Sequence, residues 1–453
     1  MTVDVRQYRA ELWKSLQLAG PLVVALLAQN SMGFVDTIMV GRLGTGALAG
    51  IALGNMFYFF LLILCMGMVI AVGPLVSQSY GAGEHEPIGR TVRQGFWLGR
   101  MLFVVAWSLM WLAGPILRAA GQDPEPVAAA VGYLRAVSWG FLPFLWFLSL
   151  RSFIEAVSRP WPVTVVTFFG LVLNIAADYV LMFGKLGFPR MGLVGTGWAT
   201  TFVIWTMFII MAAYIGTRRE YKVYGIFRKL GTPDPRYFKE ILRVGWPIGA
   251  AYGIEVGLFS MTAFLMGLVG QEALASHQIA IQSAAFTFMV PLGIGIAASV
   301  RVGQAVGRRD AEGIKLAAYA GVSLAVLVML VSACLFLFAP RTIVSLFLDV
   351  SDPVHRNVVV LAMSLLGIAA VFQVFDGIQV STAGALRGLK DTRKPMLIGL
   401  VSYWLIGLGT GYTLGFLFGL GARGLWWGLV VGLAAASVLL LRRLRWQTRR
   451  LQA

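Results

Sequence analysis

Apolar stretches of about 20 residues recur along the whole chain, separated by short segments rich in Gly, Arg and Lys. A run of that length crosses the hydrocarbon core of a bilayer as a helix. The pattern predicts twelve spans, near residues 15–40, 48–78, 93–118, 127–157, 161–185, 191–216, 240–268, 274–304, 314–341, 355–387, 394–418 and 422–441. The runs are continuous rather than alternating, which excludes a transmembrane β-barrel. Pro21, Pro74, Pro143, Pro247 and Pro291 fall inside spans. Each removes a backbone donor, a change that kinks a helix yet is tolerated in a membrane bundle. Of these, Pro21 and Pro247 are the candidate hinges.

The hydrophobic pattern repeats itself. Shifted by 226 positions (247 − 21), Pro21 falls on Pro247, Gly44 on Gly270 and the run Ala47-Leu48-Ala49 on Ala273-Leu274-Ala275. Gly67 meets Gly293, Ala71 meets Ala297, Gln78 meets Gln304 and Gly81 meets Gly307 at the same offset. Later, with a slightly larger shift, Gly192, Gly195 and Trp198 meet Gly421, Gly424 and Trp427. Six spans per copy give the copies one orientation, a parallel repeat with its axis along the membrane normal and a substrate path expected between the halves. The expected organisation is an N-terminal lobe at 1–217, a basic cytoplasmic linker at 218–239, a C-terminal lobe at 240–445 and a tail at 446–453. The fold class is therefore all-α integral membrane, with twelve transmembrane helices in two pseudo-symmetric six-helix lobes.

Composition sharpens this picture. The chain is 58% hydrophobic and 13% charged, and its mean hydropathy is +0.79. The net charge of +17 invites a nucleic-acid role, but the basic residues concentrate in loops on one side. Those loops are Arg218 to Lys239, Arg301 to Lys315, Arg387 to Lys394 and the tail from Arg442 to Arg450. This is the positive-inside distribution, and it places both termini in the cytoplasm. The polar start MTVDVRQYRAELWK runs into a long span without a small-residue cleavage motif, so the first span is expected to be retained. Cys65 and Cys334 both lie in spans and read as small packing residues. With His85, His277 and His355 as its only histidines, the chain has no zinc-hydrolase cluster or nucleophile elbow, and it has no P-loop. An enzyme is not expected, and no cofactor is called for; energy would come from an ion gradient.

Four carboxylates sit well inside spans: Asp36, Asp178, Glu255 and Asp376. An ionisable group at membrane depth is a functional candidate by default. Asp36 interrupts the stretch QNSMGFVDTIMVG, about 33 Å along the first helix from Lys14. Asp178 lies about 28 Å from Arg159, with Asn174 one turn below it on the same face. Thr196 sits about 9 Å inside the outer surface on the next helix. Two carboxylates, an amide and a hydroxyl thus share one depth in the outer third, a set of hard oxygen donors suited to Na⁺ or to proton exchange. Glu255 and Asp376 come out near mid-membrane, about 17 Å from Arg243 and Arg387 taken as cytoplasmic anchors. Under the repeat Glu255 falls on Gln29 and Asp36 on Thr262, so the two acidic sites are not copies. Gly253 and Gly257 flank Glu255 and permit close helix approach. Gln278 and Gln282, one turn apart beside His277, form a second polar patch; His277 reads either as a proton relay or as a hydrogen-bonded packing residue. Met261, Met266, Met289, Phe286 and Phe288 line either an adaptable cavity or ordinary core and lipid faces.

The stretches VDTIMVGRLGTGALAG (Val35 to Gly50), WPIGAAYGIEVGLF (Trp246 to Phe259) and SQSYGAG (Ser77 to Gly83), with GLVGTGWAT (Gly192 to Thr200) and GARGLWWG (Gly421 to Gly428), carry a family likeness. Over roughly residues 10 to 445 the chain resembles the multidrug and toxic compound extrusion (MATE) family, NorM-like branch. The resemblance implies export of amphipathic, often cationic drugs and dyes by ion antiport, by a monomer whose partners are those small molecules and membrane lipid, not nucleic acid. Asp36, Asn174, Asp178 and Thr196 match the family's N-lobe cation site, and Glu255 and Asp376 its C-lobe acidic pair. Phe372 departs from relatives that have a tyrosine one turn before the C-lobe aspartate, which leans that lobe towards protons or cationic substrate. Sodium and proton coupling both fit the N-lobe set. The alternative within transporters is a lipid-linked precursor flippase, which the acidic rather than basic buried charges disfavour.

Overall fold

The structure, a computed structural model, describes residues 5–451, apart from the side chain of Thr45. Among the described residues all regular structure is helical. Eleven helices are long and apolar enough to cross a membrane: α1 (Val5–Gly41), α2 (Gly46–Gly81), α4 (Pro124–Ala156), α5 (Trp161–Phe183), α6 (Leu193–Thr217), α7 (Pro235–Val269), α8 (Gln271–Gly307), α9 (Ala311–Phe338), α10 (Pro353–Gly388), α11 (Arg393–Leu417) and α12 (Gly421–Arg450). The twelfth is α3, where His85–Trp111 continues into Ala113–Ala119 after a 53° bend. All twelve expected spans are thus present. Their outward faces are apolar: on α5, Phe168 is 56% and Val172 53% exposed, a surface that suits lipid and not water.

The contacts divide the chain into two compact units, one of Val24–Gly249 and one joining the segment up to Val23 to Ala250–Ala453. Both division points lie two residues past a candidate hinge, Pro21 or Pro247, and they are equivalent under the 226-residue shift. Yet α1 and α7 remain helical through those prolines. The expected linker behaves as part of the first of these units. Arg93 donates to the Gly225 carbonyl (2.7 Å), the Trp97 indole N–H to Leu230 (3.1 Å), and Arg159 pairs with Glu220.

Each unit is organised in the same way. In one, α4 is the hub and packs against α2, α3 and α6; in the other, α10 packs against α8, α9 and α12. Both hubs are buried along most of their length, as a helix surrounded by others must be. The repeated glycines explain themselves here. Gly44 and Gly270 open α2 and α8 with φ of 108° and 148°, a backbone region that side chains avoid. Gly195 and Gly424 permit tight helix pairs, since a Cβ would come 2.7 Å from the Leu181 carbonyl oxygen and 2.5 Å from the Gly415 nitrogen. The α11–α12 pair is packed closely along its length. Gly407, Gly411 and Gly415 on α11 lie against Gly432, Gly428 and Gly424 on α12, and α11 is wound as a π-helix over Val401–Gly407 and Thr413–Leu417.

Two sequence expectations need correcting. Cys65 is buried as expected, but Cys334 is exposed on the outward face of α9 and packs no core. Arg387, taken as a surface anchor for depth, is only 7% exposed. Its position near a loop hid the fact that its side chain turns back among the helices.

Candidate functional site

The N-terminal cluster assembles as the depths predicted. Asp36 of α1, Asn174 and Asp178 of α5 and Thr196 of α6 are all buried, Asp178 and Thr196 completely. Asn174 Nδ2 donates to Asp178 Oδ2 at 3.3 Å, the one-turn pairing its spacing implies. Asp36 lies close enough to Asp178, Asn174 and Thr200 to interact with each of them. One oxygen on each of Asp36, Asn174, Asp178, Thr196 and Thr200 is buried without a protein partner. Buried polar atoms are nearly always satisfied, so a group of five such oxygens around two carboxylates is an arrangement that can accept a proton or a small cation. Among the described residues no three His, Cys, Asp or Glu side chains converge, so a cation here would rest on two carboxylates with amide and hydroxyl oxygens.

Thr200 escaped the sequence reading although it sits one turn beyond Thr196, a signal that was available. Tyr133 was not legible in this way. It comes from the hub α4, is electrostatically close to Asp36 and Asp178, and donates its hydroxyl to Asn55 Oδ1 at 2.9 Å. Also missed was a buried ion pair in α4, where Arg151 Nε donates to Glu155 Oε1 at 2.6 Å. Arg151 Nη1 also donates to Gln29 Oε1 of α1 at 2.9 Å.

The C-terminal cluster is built otherwise. Glu255 of α7 is half-buried and Asp376 of α10 is 5% exposed, and the two are close enough to interact electrostatically. Buried Tyr403 of α11 lies near both. Unlike the N-terminal cluster, this one contains a cation. Arg387 acts electrostatically on Glu255, and its Nη1 donates to the Tyr252 hydroxyl at 2.6 Å. Phe372, one turn before Asp376, packs edge-on against both Trp426 and Phe259 and offers only hydrocarbon. Gln373, one turn before Gly377, accepts from Thr287 (2.9 Å) and Ser332 (2.6 Å) and ties α8, α9 and α10 together.

The second polar patch does not form a cluster. His277 is 1% exposed, packs edge-on against Trp426 and leaves Nδ1 unpartnered. Gln278 and Gln282 are exposed and make no side-chain hydrogen bond among the described residues. Met266 is core, Met261 and Phe286 are exposed, and Met289 and Phe288 are half-buried.

Comparison with known proteins settles the class. The MatE family model matches residues 21–180 and 247–413, one match in each repeat. The chain belongs to the MatE family. It is 41% identical to the protein named "Probable multidrug resistance protein NorM" from Pseudomonas aeruginosa, over 97% of this chain and 90% of that one. A protein of the same name from Pseudomonas syringae pv. tomato is 40% identical, over 97% of this chain and 96% of that one. Among solved structures, a eukaryotic MATE transporter, AtDTX14, superposes with a TM-score of 0.86 at 20% identity, covering 98% of each chain. The likeness to MATE proteins read from the sequence motifs is borne out, and with it the all-α membrane architecture read from spans and repeats.

Proposed function

We propose that this protein is a secondary multidrug exporter of the bacterial inner membrane, with both termini cytoplasmic, that moves amphipathic cations outward against an inward flow of H⁺. The observation that carries the reading is the buried Asp36–Asp178 contact among unpartnered oxygens. Two adjacent carboxylates shielded from water take up one positive charge to share, whether proton or Na⁺. Uptake from outside removes a costly charge from the bundle and lets the helices around it repack; release to the cytoplasm restores it. That cycle is alternating access with the ion as its bias, and a ligand biases two states only through its different affinity for them. The names of the relatives supply the substrate class. The absence of an oxygen at Phe372 and the small ligand set favour protons over Na⁺. No cofactor takes part, and the protein works as a transporter and not as an enzyme.

The deciding experiment is dye export from proteoliposomes with a pH gradient and a sodium gradient imposed separately. Export driven by the pH gradient alone is the expected result. Export driven by sodium alone at constant pH would replace H⁺ by Na⁺ in the cycle. Failure of both gradients would overturn drug antiport and turn attention to lipid-linked substrates.

A further inference from the structure

Gln29 stands two turns before Asp36 on α1, and a helix returns to within about 20° of its starting direction in that interval, so the two side chains leave one face. Both belong to the unit that begins at Val24, as does the hub α4. Between Ala28 and Val40, Asp36 alone is buried, while Phe34 is 67% exposed. No apolar stripe therefore fixes how this stretch of α1 is turned about its own axis. The Ser31 and Thr37 hydroxyls do not fix it either, because they donate to the Leu27 and Gly33 carbonyls of their own helix at 2.8 and 2.9 Å. The bond that reaches the stretch from α4 is the one from Arg151 Nη1 to Gln29 Oε1, at 2.9 Å.

The donor is itself held in place. Arg151 Nε donates to Glu155 Oε1 at 2.6 Å, one turn along α4, and both residues are buried. A guanidinium is planar and carries its N–H donors in a fixed fork, so a carboxylate on Nε sets the line along which Nη1 points. An amide that accepts on that line fixes the rotation of the helix that carries it. Glu155 also neutralises the arginine, so Gln29 has no charge to balance and the contact serves direction. A turn of α1 by one residue position, about 100°, would carry Asp36 away from Asp178, Asn174 and Thr200.

We propose that Arg151, held by Glu155, is a positioning residue for the coupling site: through Gln29 it sets the rotation of α1 and keeps Asp36 against Asp178. It acts through the helix, since its hydrogen bonds go to Glu155 and Gln29 and not to either carboxylate of the site. The titratable groups that face Asp36 from the helices around it, Asp178 on α5 and Tyr133 on α4, are separate from this relay. The transport consequence rests on the export reading above; the placing of Asp36 does not.

The test uses full-length protein in three forms. Beside the native chain stand Gln29→Met, which keeps the side-chain length and loses the acceptor, and the double variant Arg151→Met/Glu155→Met, which removes both charges together. Neither variant strands a charge, so Tm in detergent should stay near native. A lipid-soluble carbodiimide modifies carboxyl groups, and mass spectrometry locates the adduct without any transport. Modification of Asp36 should be several-fold faster in both variants, because an α1 released from α4 can turn Asp36 outward. In proteoliposomes, the coupling-ion concentration for half-maximal dye export should rise by roughly threefold to tenfold, the contribution of one hydrogen bond, with maximal export near native. Modification at the native rate in both variants would overturn the inference. So would a fall in maximal export at an unchanged half-maximal concentration, the mark of a pair that only supports the fold. A shift in Gln29→Met without one in the double variant would remove the part given to Arg151. If the double variant does not fold, Arg151→Lys, which keeps Glu155 paired but has no planar fork, takes its place with the same expected shifts, and native behaviour there would overturn the proposal. A native chain that exports no dye would remove the export reading and leave the modification rates to decide the placing of Asp36.

Discussion

The two halves of this chain share a scaffold and differ in how they handle buried charge. The N-terminal unit segregates: two carboxylates with amide and hydroxyl oxygens stand together without a cation, while Arg151 and Glu155 cancel each other elsewhere on α4. The C-terminal unit combines: Glu255, Asp376 and Arg387 share one polar region beside Tyr252 and Tyr403. The same helix order and the same repeated glycines therefore support one site of two carboxylates with uncharged polar neighbours and one of two carboxylates with an arginine close by. Symmetry of the backbone sets where a side chain points, while the energy of the site depends on which charges it holds.

The comparison can be broken most directly at Asp36. Asp36→Asn should reduce gradient-driven dye export to the liposome background while the protein stays folded, since among the described residues no other carboxylate acts on Asp178. Export at native rates would show that the segregated site does not couple. Next in size is Glu155→Gln, which strands Arg151 and should cost about 3–5 kcal/mol of stability. Its yield and Tm should fall, and Arg151→Gln in the same chain should restore them. If the single variant is as stable as the native protein, the two units do not differ in the way stated.

A smaller effect is expected at Thr200. Thr200→Val removes one unpartnered oxygen beside Asp36 that would otherwise accept from or ligate the bound ion, and a hydrogen bond to a charged group amounts to about 1.5–3 kcal/mol. The apparent KM for the coupling ion should rise by roughly tenfold or more, with maximal export changed less. The smallest effect is expected at Gln278 and Gln282. Both are exposed and unpaired, so alanine at either should leave Tm within about 0.5 kcal/mol-equivalent of native. A large loss of export in either variant would add α8 to the C-terminal site.

Much of this was readable beforehand. Asp36, Asn174, Asp178 and Thr196 could be brought to one depth because a helix rises regularly, and intramembrane carboxylates are too costly to be incidental. Tyr133 could not be found that way, because a tyrosine in a span has an ordinary reason to be there and its approach to Asp36 depends on how α4 packs. Arg387 misled for a related cause. An arginine near a helix end normally extends to the surface, and only the packing of α10 against α7 and its neighbours shows this one turned inward.

Chain-local physics determined the twelve spans, the repeat and the N-terminal cluster: hydrocarbon thickness fixes span length, backbone sterics fix where Gly44 and Gly270 must stand, and helix rise fixes depth. The tertiary structure alone decided which charges are neighbours. Coulomb interactions depend on distances between side chains that are often more than a hundred residues apart, as Tyr252 is from Arg387, and no periodicity within a single helix encodes those distances.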